Sequence, residues 1–166
     1  MAKWEGDLRE TIEMEQWHTI WDRASKSSVC TIISEKAYKL IFRWYYTPSR
    51  LAHFKEFWKM VARILSATFK LSIEPDPLSF LLGLPLTTLN TSDANKLATH
   101  ILTAAKTLRA AKWKSTSLPN QQALITKVRW IRNMENIRAY LQDTGYKNAL
   151  LWLPWAEFES AQSDST

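Results

Sequence analysis

The segment FKEFWKMVARILSATFK, residues 54–70, contains the clearest structural pattern in the chain. Its apolar residues recur every three or four positions, and at about 100° per residue they fall on one face of a helix. The cationic residues lie on the opposite face, within about 80° of one another. An amphipathic pattern of this kind predicts a helix that packs one side against a core and exposes the other. The exposed cations are Lys55, Lys59, Arg63 and Lys70.

The same helical spacing recurs through most of the chain, whereas alternating β-branched runs are nearly absent. We predict an all-α fold of about five main helices in one compact domain, residues 1–158, followed by a disordered polar tail at residues 159–166. The other four predicted helices cover roughly residues 11–24, 32–46, 92–113 and 119–142.

Composition limits the classes of function that the chain can perform. Its 166 residues suffice for one domain that needs no metal or disulfide for stability. The three glycines lie far apart, which excludes the closely spaced glycines of P-loop and dinucleotide-binding proteins. The single cysteine, Cys30, forms no intramolecular disulfide and no cysteine-rich zinc site. The sequence has no secretory leader and no apolar run near the roughly 20 residues of a membrane span. We therefore expect an intracellular protein, cytoplasmic or nuclear, with no membrane partner.

No enzyme class has its minimum set of residues in this sequence. His18, His53 and His100 fall on three different predicted helices, and none has a second ligand at the spacing of a helical metal site. Cys30 precedes a helix, but no particular His or Asp is indicated as its partner. We therefore predict no catalysis, no metal and no cofactor. An enzyme that uses Cys30 stays open as an alternative.

Positive charge is distributed unevenly along the chain. The net charge is +6, and it is concentrated in residues 26–71 and 96–138, with mildly acidic segments between and around them. Such segregation is typical of a surface for an anionic partner, most often nucleic acid. Two more helices repeat the cationic spacing, and the last predicted helix points two arginines away from its apolar stripe. These further candidate phosphate contacts are Lys36, Lys39, Arg43, Lys106, Arg109, Lys112, Arg129 and Arg132.

One cationic stripe alone is explained about equally well by solubility and by phosphate binding. Like charges at i,i+4 cost a few tenths of a kcal/mol each, so repeated stripes with little interleaved Glu favour a partner. Several aromatic residues could stack on unpaired bases, although tryptophan on an amphipathic helix more often packs in a core. They are Trp4, Tyr46, Trp113 and Trp155.

Several strings in the chain resemble, in the same order, the C-terminal segment of the second open-reading-frame protein of vertebrate LINE retrotransposons. They are EKAYKLIFRWYYTPSRL (Glu35–Leu51), Phe57-Trp58, IEPDPLSFLLGLP (Ile73–Pro85) and VRWIRNMENIRAYL (Val128–Leu141). The resemblance covers the chain from Trp4 to Trp155. It implies a region that follows endonuclease and reverse transcriptase domains, contains neither activity, and binds RNA or other nucleic acid during target-primed reverse transcription.

The chain departs from that family at one place. The family has a Cys/His zinc-knuckle-like stretch ahead of its counterpart of Phe57-Trp58, whereas here Leu51-Ala52-His53-Phe54 runs directly into Lys55. Zinc binding is therefore not carried over, and the basic helix faces are the retained candidates. Because the chain begins with Met1 and lacks the upstream enzymes, we expect a stand-alone product derived from a retroelement.

From these observations we expect a non-catalytic domain that binds RNA or single-stranded nucleic acid through basic helix faces, alone or within a ribonucleoprotein. The alternative is a helical protein-interaction or structural module of a larger assembly. In that alternative, the acidic first helix and the aromatic C-terminal segment dock onto a protein or onto a second copy of the chain.

Overall fold

The computed structural model describes residues 4–6, 9–25, 55–111 and 117–163. The fold is all-α, as predicted, and these ranges contain no β-strand. The predicted helix near residues 32–46 lies outside the described residues. Five long helices account for most of the described chain: α1 Met14–Ser25, α2 Lys55–Phe69, α3 Ser92–Ala111, α4 Gln121–Leu141 and α5 Gly145–Ser163.

Helix α2 buries the face that its sequence pattern predicts. Trp58 makes edge-on ring contacts with Phe57 and with Phe80, at centroid distances of 5.1 and 5.9 Å. These contacts connect α2 to the apolar segment that follows it along the chain. The buried residues of the helix are Phe57, Trp58, Val61, Ala62, Ile64, Leu65 and Thr68.

The end of α2 comes earlier than the sequence predicts. Pro75 and Pro77 were expected to end the helix, but it ends at Phe69. Lys70 adopts a left-handed conformation with φ of 55°, and the N–H of Leu71 donates to the carbonyl of Ser66 at 3.2 Å. A left-handed residue immediately after a helix is a common way to satisfy its last carbonyl groups. Lys70 is therefore a cap residue rather than part of the helical stripe.

The short apolar segment after α2 folds as a π-helical turn, Leu78–Leu82. The carboxylate of Asp76 accepts hydrogen bonds from the N–H groups of Leu78 and Ser79, at 3.2 and 2.8 Å, and from the Ser79 hydroxyl at 2.6 Å. Gly83 closes the turn at φ 86°, a conformation in which a side chain would be strained. The turn inserts three apolar side chains into the core: Phe80, Leu81 and Leu82.

Helix α3 lies at the centre of the domain and packs against α2, α4 and α5. Leu97, Ile101, Ala104 and Ala105 are all 0% exposed. Alanine side chains let neighbouring helices approach the backbone of α3 closely, and a helix surrounded in this way is buried on most of its circumference. The polar residues of α3 are affected as well, since Arg109 is 1% exposed.

Helices α4 and α5 form an antiparallel hairpin. The side chain of Asn120 caps the start of α4 by accepting a hydrogen bond from the N–H of Ala123 at 2.8 Å. The turn at residues 142–144 is closed by the N–H of Thr144, which donates to the carbonyl of Ala139 at 2.8 Å. Asn148 then donates to Asn136 across the hairpin at 2.7 Å.

Helix α5 is longer than the sequence predicts. The sequence suggests only a short aromatic segment from Ala149 to Phe158 and a disordered tail after it, whereas the helix runs from Gly145 to Ser163 and contains Pro154. Residues 159–163 are therefore helical. The helix buries three aromatic side chains, namely Trp152, Trp155 and Phe158.

The buried face of α4 differs from the predicted apolar stripe in its second half. The sequence pattern predicts an apolar stripe of Leu124, Val128, Ile131, Met134, Ile137 and Leu141. However, the side chains of Ile137 and Leu141 are 55% and 77% exposed. The structure buries Glu135 and Ala139 instead. Both sets of residues keep helical spacing after Ile131, so the spacing alone does not distinguish them.

Substituting two isoleucines by alanine tests this assignment of the core. We expect Ile101→Ala in α3 to lower the free energy of unfolding by about 2–5 kcal/mol, because it leaves a cavity in a fully buried site. The matched change Ile137→Ala in α4 is expected to cost less than about 0.5 kcal/mol, since that side chain is mostly exposed. Urea denaturation measures both, and equal losses would contradict the exposed position of Ile137.

Candidate nucleic-acid interface

The solvent-facing side of α2 carries the strongest of the predicted cationic stripes. Lys55, Lys59 and Arg63 are exposed on α2, one turn apart, opposite its buried face. We call these three residues the α2 basic face. Over eight residues a helix rises about 12 Å, so the charges follow a nearly straight line of that length.

One carboxylate lies beside the α2 basic face. The Nζ of Lys59 is 2.8 Å from Oε1 of Glu56, in a pair whose side chains are both more than half exposed. The hydrogen bond and charge of Lys59, with a smaller effect of Arg63, lower the pKa of the Glu56 carboxyl. Within the described part of the chain, Lys55 and Arg63 form no ion pair. The face therefore retains positive charge.

The other exposed candidates are paired with carboxylates of α5. Lys70 Nζ lies 3.0 Å from Glu157 Oε2. Arg129 Nε and Arg132 Nη1 lie 2.6 and 3.3 Å from the two oxygens of Glu159, whose side chain is only 15% exposed. These three cations connect α5 to the end of α2 and to α4, and their charge is already partly neutralised.

Two candidates on α3 do not form the predicted exposed stripe. Arg109 is almost completely buried, so a phosphate at the surface does not reach it. Lys106 points inward beside Gly83, where an added Cβ would lie 3.5 Å from its Nζ. Burial, with a smaller effect of the Arg23 charge, lowers the pKa of Lys106 to about 7. The physical reason is that other helices surround α3. The amphipathic pattern predicts one exposed side and gives no sign of this enclosure.

Four predicted phosphate contacts lie outside the described residues: Lys36, Lys39, Arg43 and Lys112. The same holds for Tyr46 and Trp113 among the candidate stacking aromatics. Trp4 and Trp155 are 3% and 0% exposed, so neither can stack on a base. Both are core residues, as the more common role of tryptophan on such helices indicates.

An aromatic side chain that the sequence analysis did not single out is available at the surface. Trp130 of α4 is 37% exposed, and the Nζ of Lys127 lies 3.8 Å from the centroid of its ring. A cation over a partly exposed indole is an arrangement that can also receive a base. No signal in the sequence indicates this exposure, because Trp130 lies on the same side of α4 as Ile137 and Leu141, which the sequence pattern assigns to the apolar stripe.

The two described histidines, His18 and His100, lie in different surroundings. His18 is exposed, and His53 and Cys30 lie outside the described residues. His100 stacks on Trp152 at a centroid distance of 5.4 Å, and burial lowers the pKa of its imidazole. Among the residues that the structure describes, no group of three or more His, Cys, Asp or Glu could hold a metal ion.

No protein-family model and no solved structure matches the chain. None of the helices in the described ranges is long and apolar enough to cross a membrane.

The low pKa of Lys106 predicts a specific pH dependence of stability. The folded-state pKa of about 7 lies below the usual value of 10.5, so the folded protein binds fewer protons than the unfolded chain between these values. The free energy of unfolding therefore rises with pH across this window, by up to about 1.4 kcal/mol per pH unit, and the penalty is fully present below pH 7.

Lys106→Met is expected to remove this slope and to raise the free energy of unfolding at pH 7 by about 2–4 kcal/mol. Urea denaturation at a series of pH values between 6 and about 9.5 measures it. Lys96→Met serves as the control, because Lys96 is exposed on the same helix. A Lys106→Met variant with the wild-type slope would contradict the inward position of the amine.

Proposed function

We propose that this chain is a non-catalytic domain that binds RNA or single-stranded nucleic acid, and that the α2 basic face makes the main phosphate contacts. The observation that carries this proposal is the exposure of Lys55, Lys59 and Arg63 in a row on a helix whose other side is buried. Successive cations are about 6 Å apart along the helix axis. Such a row can follow the phosphates of one strand.

The energetics of the face support a binding role over a purely structural one. Lysines and arginines one turn apart repel each other by a few tenths of a kcal/mol, and Glu56 relieves this mainly at Lys59 and more weakly at Arg63. A polyanion would remove the repulsion and release counterions. Phosphate contacts of this type carry no sequence information, so we expect binding that is salt-dependent and largely independent of base sequence.

The cations paired to α5 are assigned a secondary role. Lys70, Arg129 and Arg132 would have to share their charge with Glu157 or Glu159 while contacting a phosphate. Trp130 lies beside Lys127 on the same helix as the two arginines and offers a partly exposed ring for a base. The resemblance to the LINE segment implies the same class of ligand, and we propose a retroelement origin on the quoted strings alone.

The double substitution Lys59→Gln with Arg63→Gln tests the α2 basic face. We expect the affinity for a labelled single-stranded RNA to fall about 10-fold or more at low salt. The slope of log K against log salt should become shallower by about 1.4, because two phosphate contacts on a single strand are lost. Fluorescence anisotropy over a salt series measures both quantities.

The matched control is Arg9→Gln with Lys96→Gln, which removes the same charge from exposed residues outside the α2 basic face. We expect this control to change RNA affinity by less than the α2 variant does. The slope of log K against log salt should stay close to that of the wild-type protein. Equal effects of the two variants would mean that only net charge matters. Affinity insensitive to salt would overturn the proposal.

A second candidate function is favoured by an exposed apolar stripe on α4. Trp130, Met134, Ile137 and Leu141 are spaced by four, three and four residues, and Ile137 and Leu141 are mostly exposed. This is the spacing by which a helix packs against an identical helix in a coiled coil. The candidate is therefore self-association of the chain through α4.

Ile137→Asp with Leu141→Asp tests self-association. If α4 forms the contact, wild-type protein should dimerise with rising concentration in sedimentation velocity experiments and the variant should stay monomeric, because a charge would be buried in the interface. Leu71→Asp provides the control, since Leu71 is an exposed apolar residue elsewhere. Wild-type protein that remains monomeric at every concentration excludes this candidate.

A further inference from the structure

A cleft of about 790 Å³, lined by charged, neutral polar and apolar side chains, lies where four helices meet. It is formed by the end of α1, the first half of α3, the second half of α4 and the first half of α5. No residue of α2 is among the described residues that line it. The cleft is therefore distinct from the α2 basic face.

Four cationic side chains, one from each helix, line the cleft: Arg23, Lys96, Arg138 and Lys147. They are far apart in the sequence, and only the packing of the helices brings them to one cavity. Two carboxylates, Asp93 and Glu135, also line it. The described lining therefore has an excess of positive charge.

The two carboxylates are already engaged by two of the cations. Lys96 Nζ lies 3.2 Å from Asp93 Oδ1. Arg138 lies 3.7 Å from Glu135 and also donates from Nε to Gln142 at 3.1 Å. Each carboxylate thus pairs with one cation. The positive charge that these two pairs do not balance is that of Arg23 and Lys147.

Arg23 and Lys147 have no carboxylate partner within the described ranges. The guanidinium of Arg23 donates to the neutral hydroxyl of Thr99, and its buried Nε has no hydrogen-bond partner there. Burial lowers the pKa of Arg23, a sign that its charge is poorly compensated. Lys147 is exposed at the rim of the cleft. A half-buried charge without a carboxylate partner is less well compensated than one in water, and an anion placed in the cleft would stabilise it.

The rest of the lining suits a small polar ligand. Amide and hydroxyl groups surround the cations, and His100, stacked on Trp152, contributes a flat ring to the wall. The volume is within the range of pockets for small organic ligands, about 300–1,000 Å³. Guanidinium and ammonium groups with neutral donors between them are the usual surroundings of phosphate groups. The neutral polar residues are Ser92, Asn95, Thr99, Gln142, Thr144 and Asn148.

We propose that this cleft is a binding site for a small phosphate-bearing ligand, held by Arg23, Arg138 and Lys147 and separate from the α2 basic face. Arg23 contacts the ligand from α1, beside Thr99 of α3. Arg138 and Lys147 contact the ligand from the α4 and α5 walls. The neutral donors complete the coordination of the phosphate oxygens.

Isothermal titration of the full chain with inorganic pyrophosphate and with ATP, at low salt, tests the proposal. We expect saturable binding of at least one of them with one site per chain. Similar affinities would assign the site to the phosphate groups alone, whereas tighter binding of ATP would assign it to a nucleotide whose base contacts the wall at His100. Failure of both to saturate in the millimolar range would overturn the proposal.

The variant Arg138→Gln with Lys147→Gln is expected to weaken binding about tenfold or more, because it removes two charged donors. Both side chains are largely exposed, so the fold should be retained, and thermal unfolding checks this. Lys55→Gln with Lys59→Gln is the charge-matched control and should leave pyrophosphate and ATP binding unchanged. An equal loss in both variants would show attraction by net charge only, and would overturn the site.

These outcomes are separate from the test of nucleic-acid binding. Loss of RNA affinity in the α2 variants with intact pyrophosphate or ATP binding supports two independent sites. Loss of RNA affinity only in the cleft variant would contradict the role of the α2 basic face while leaving the cleft as an anion site.

Discussion

The close packing of other helices against the alanines of α3 is the constraint on which the domain depends. Ala104 and Ala105 are fully buried, and only a methyl group separates the backbone of α3 from its neighbours at these positions. Because interiors are packed as densely as organic crystals, larger side chains there would push α2, α4 or α5 outward. The same enclosure explains why Arg109 is buried and why the amine of Lys106 loses part of its basicity.

The carboxylates of α5 neutralise part of the positive charge on the described surface. Glu157 pairs with Lys70, and Glu159 pairs with Arg129 and Arg132. Cations within reach of α5 therefore contribute to helix packing, whereas Lys55 and Arg63 on the outer side of α2 do not have this role. Exposed ion pairs of this kind are worth about 1 kcal/mol or less, so their main effect is on where positive potential remains.

The sequence predicts those parts of the structure in which neighbouring residues carry the whole signal. Helix α2 was predicted because every polar and apolar position agrees with one amphipathic face. Helix α5 was missed because Trp152, Leu153 and Trp155 make it apolar on more than one side and Pro154 interrupts the pattern. On α4 the sequence permits two helical continuations after Ile131, and only the packing of α3 and α5 selects between them.

The two proposed binding surfaces show the same contrast between local sequence signals and tertiary packing. The α2 basic face is local and could be read from the sequence, although the inward turn of Lys106 and Arg109 could not. The cleft depends on residues from four helices, spread from Arg23 to Lys147, and no local pattern relates them. A site assembled by tertiary packing can be predicted only when that packing is known.

Pro154 divides α5 into two parts with different attachments. Proline has no N–H, so the helix lacks the hydrogen bond to the carbonyl of Leu150 at this point. The part before the proline lines the cleft, and the part after it carries the carboxylates that pair with α2 and α4. The missing bond leaves the backbone of α5 least restrained between the cleft wall and the ion-paired end, and it is the buried ring of Trp152, rather than helical hydrogen bonding, that holds the wall in place there.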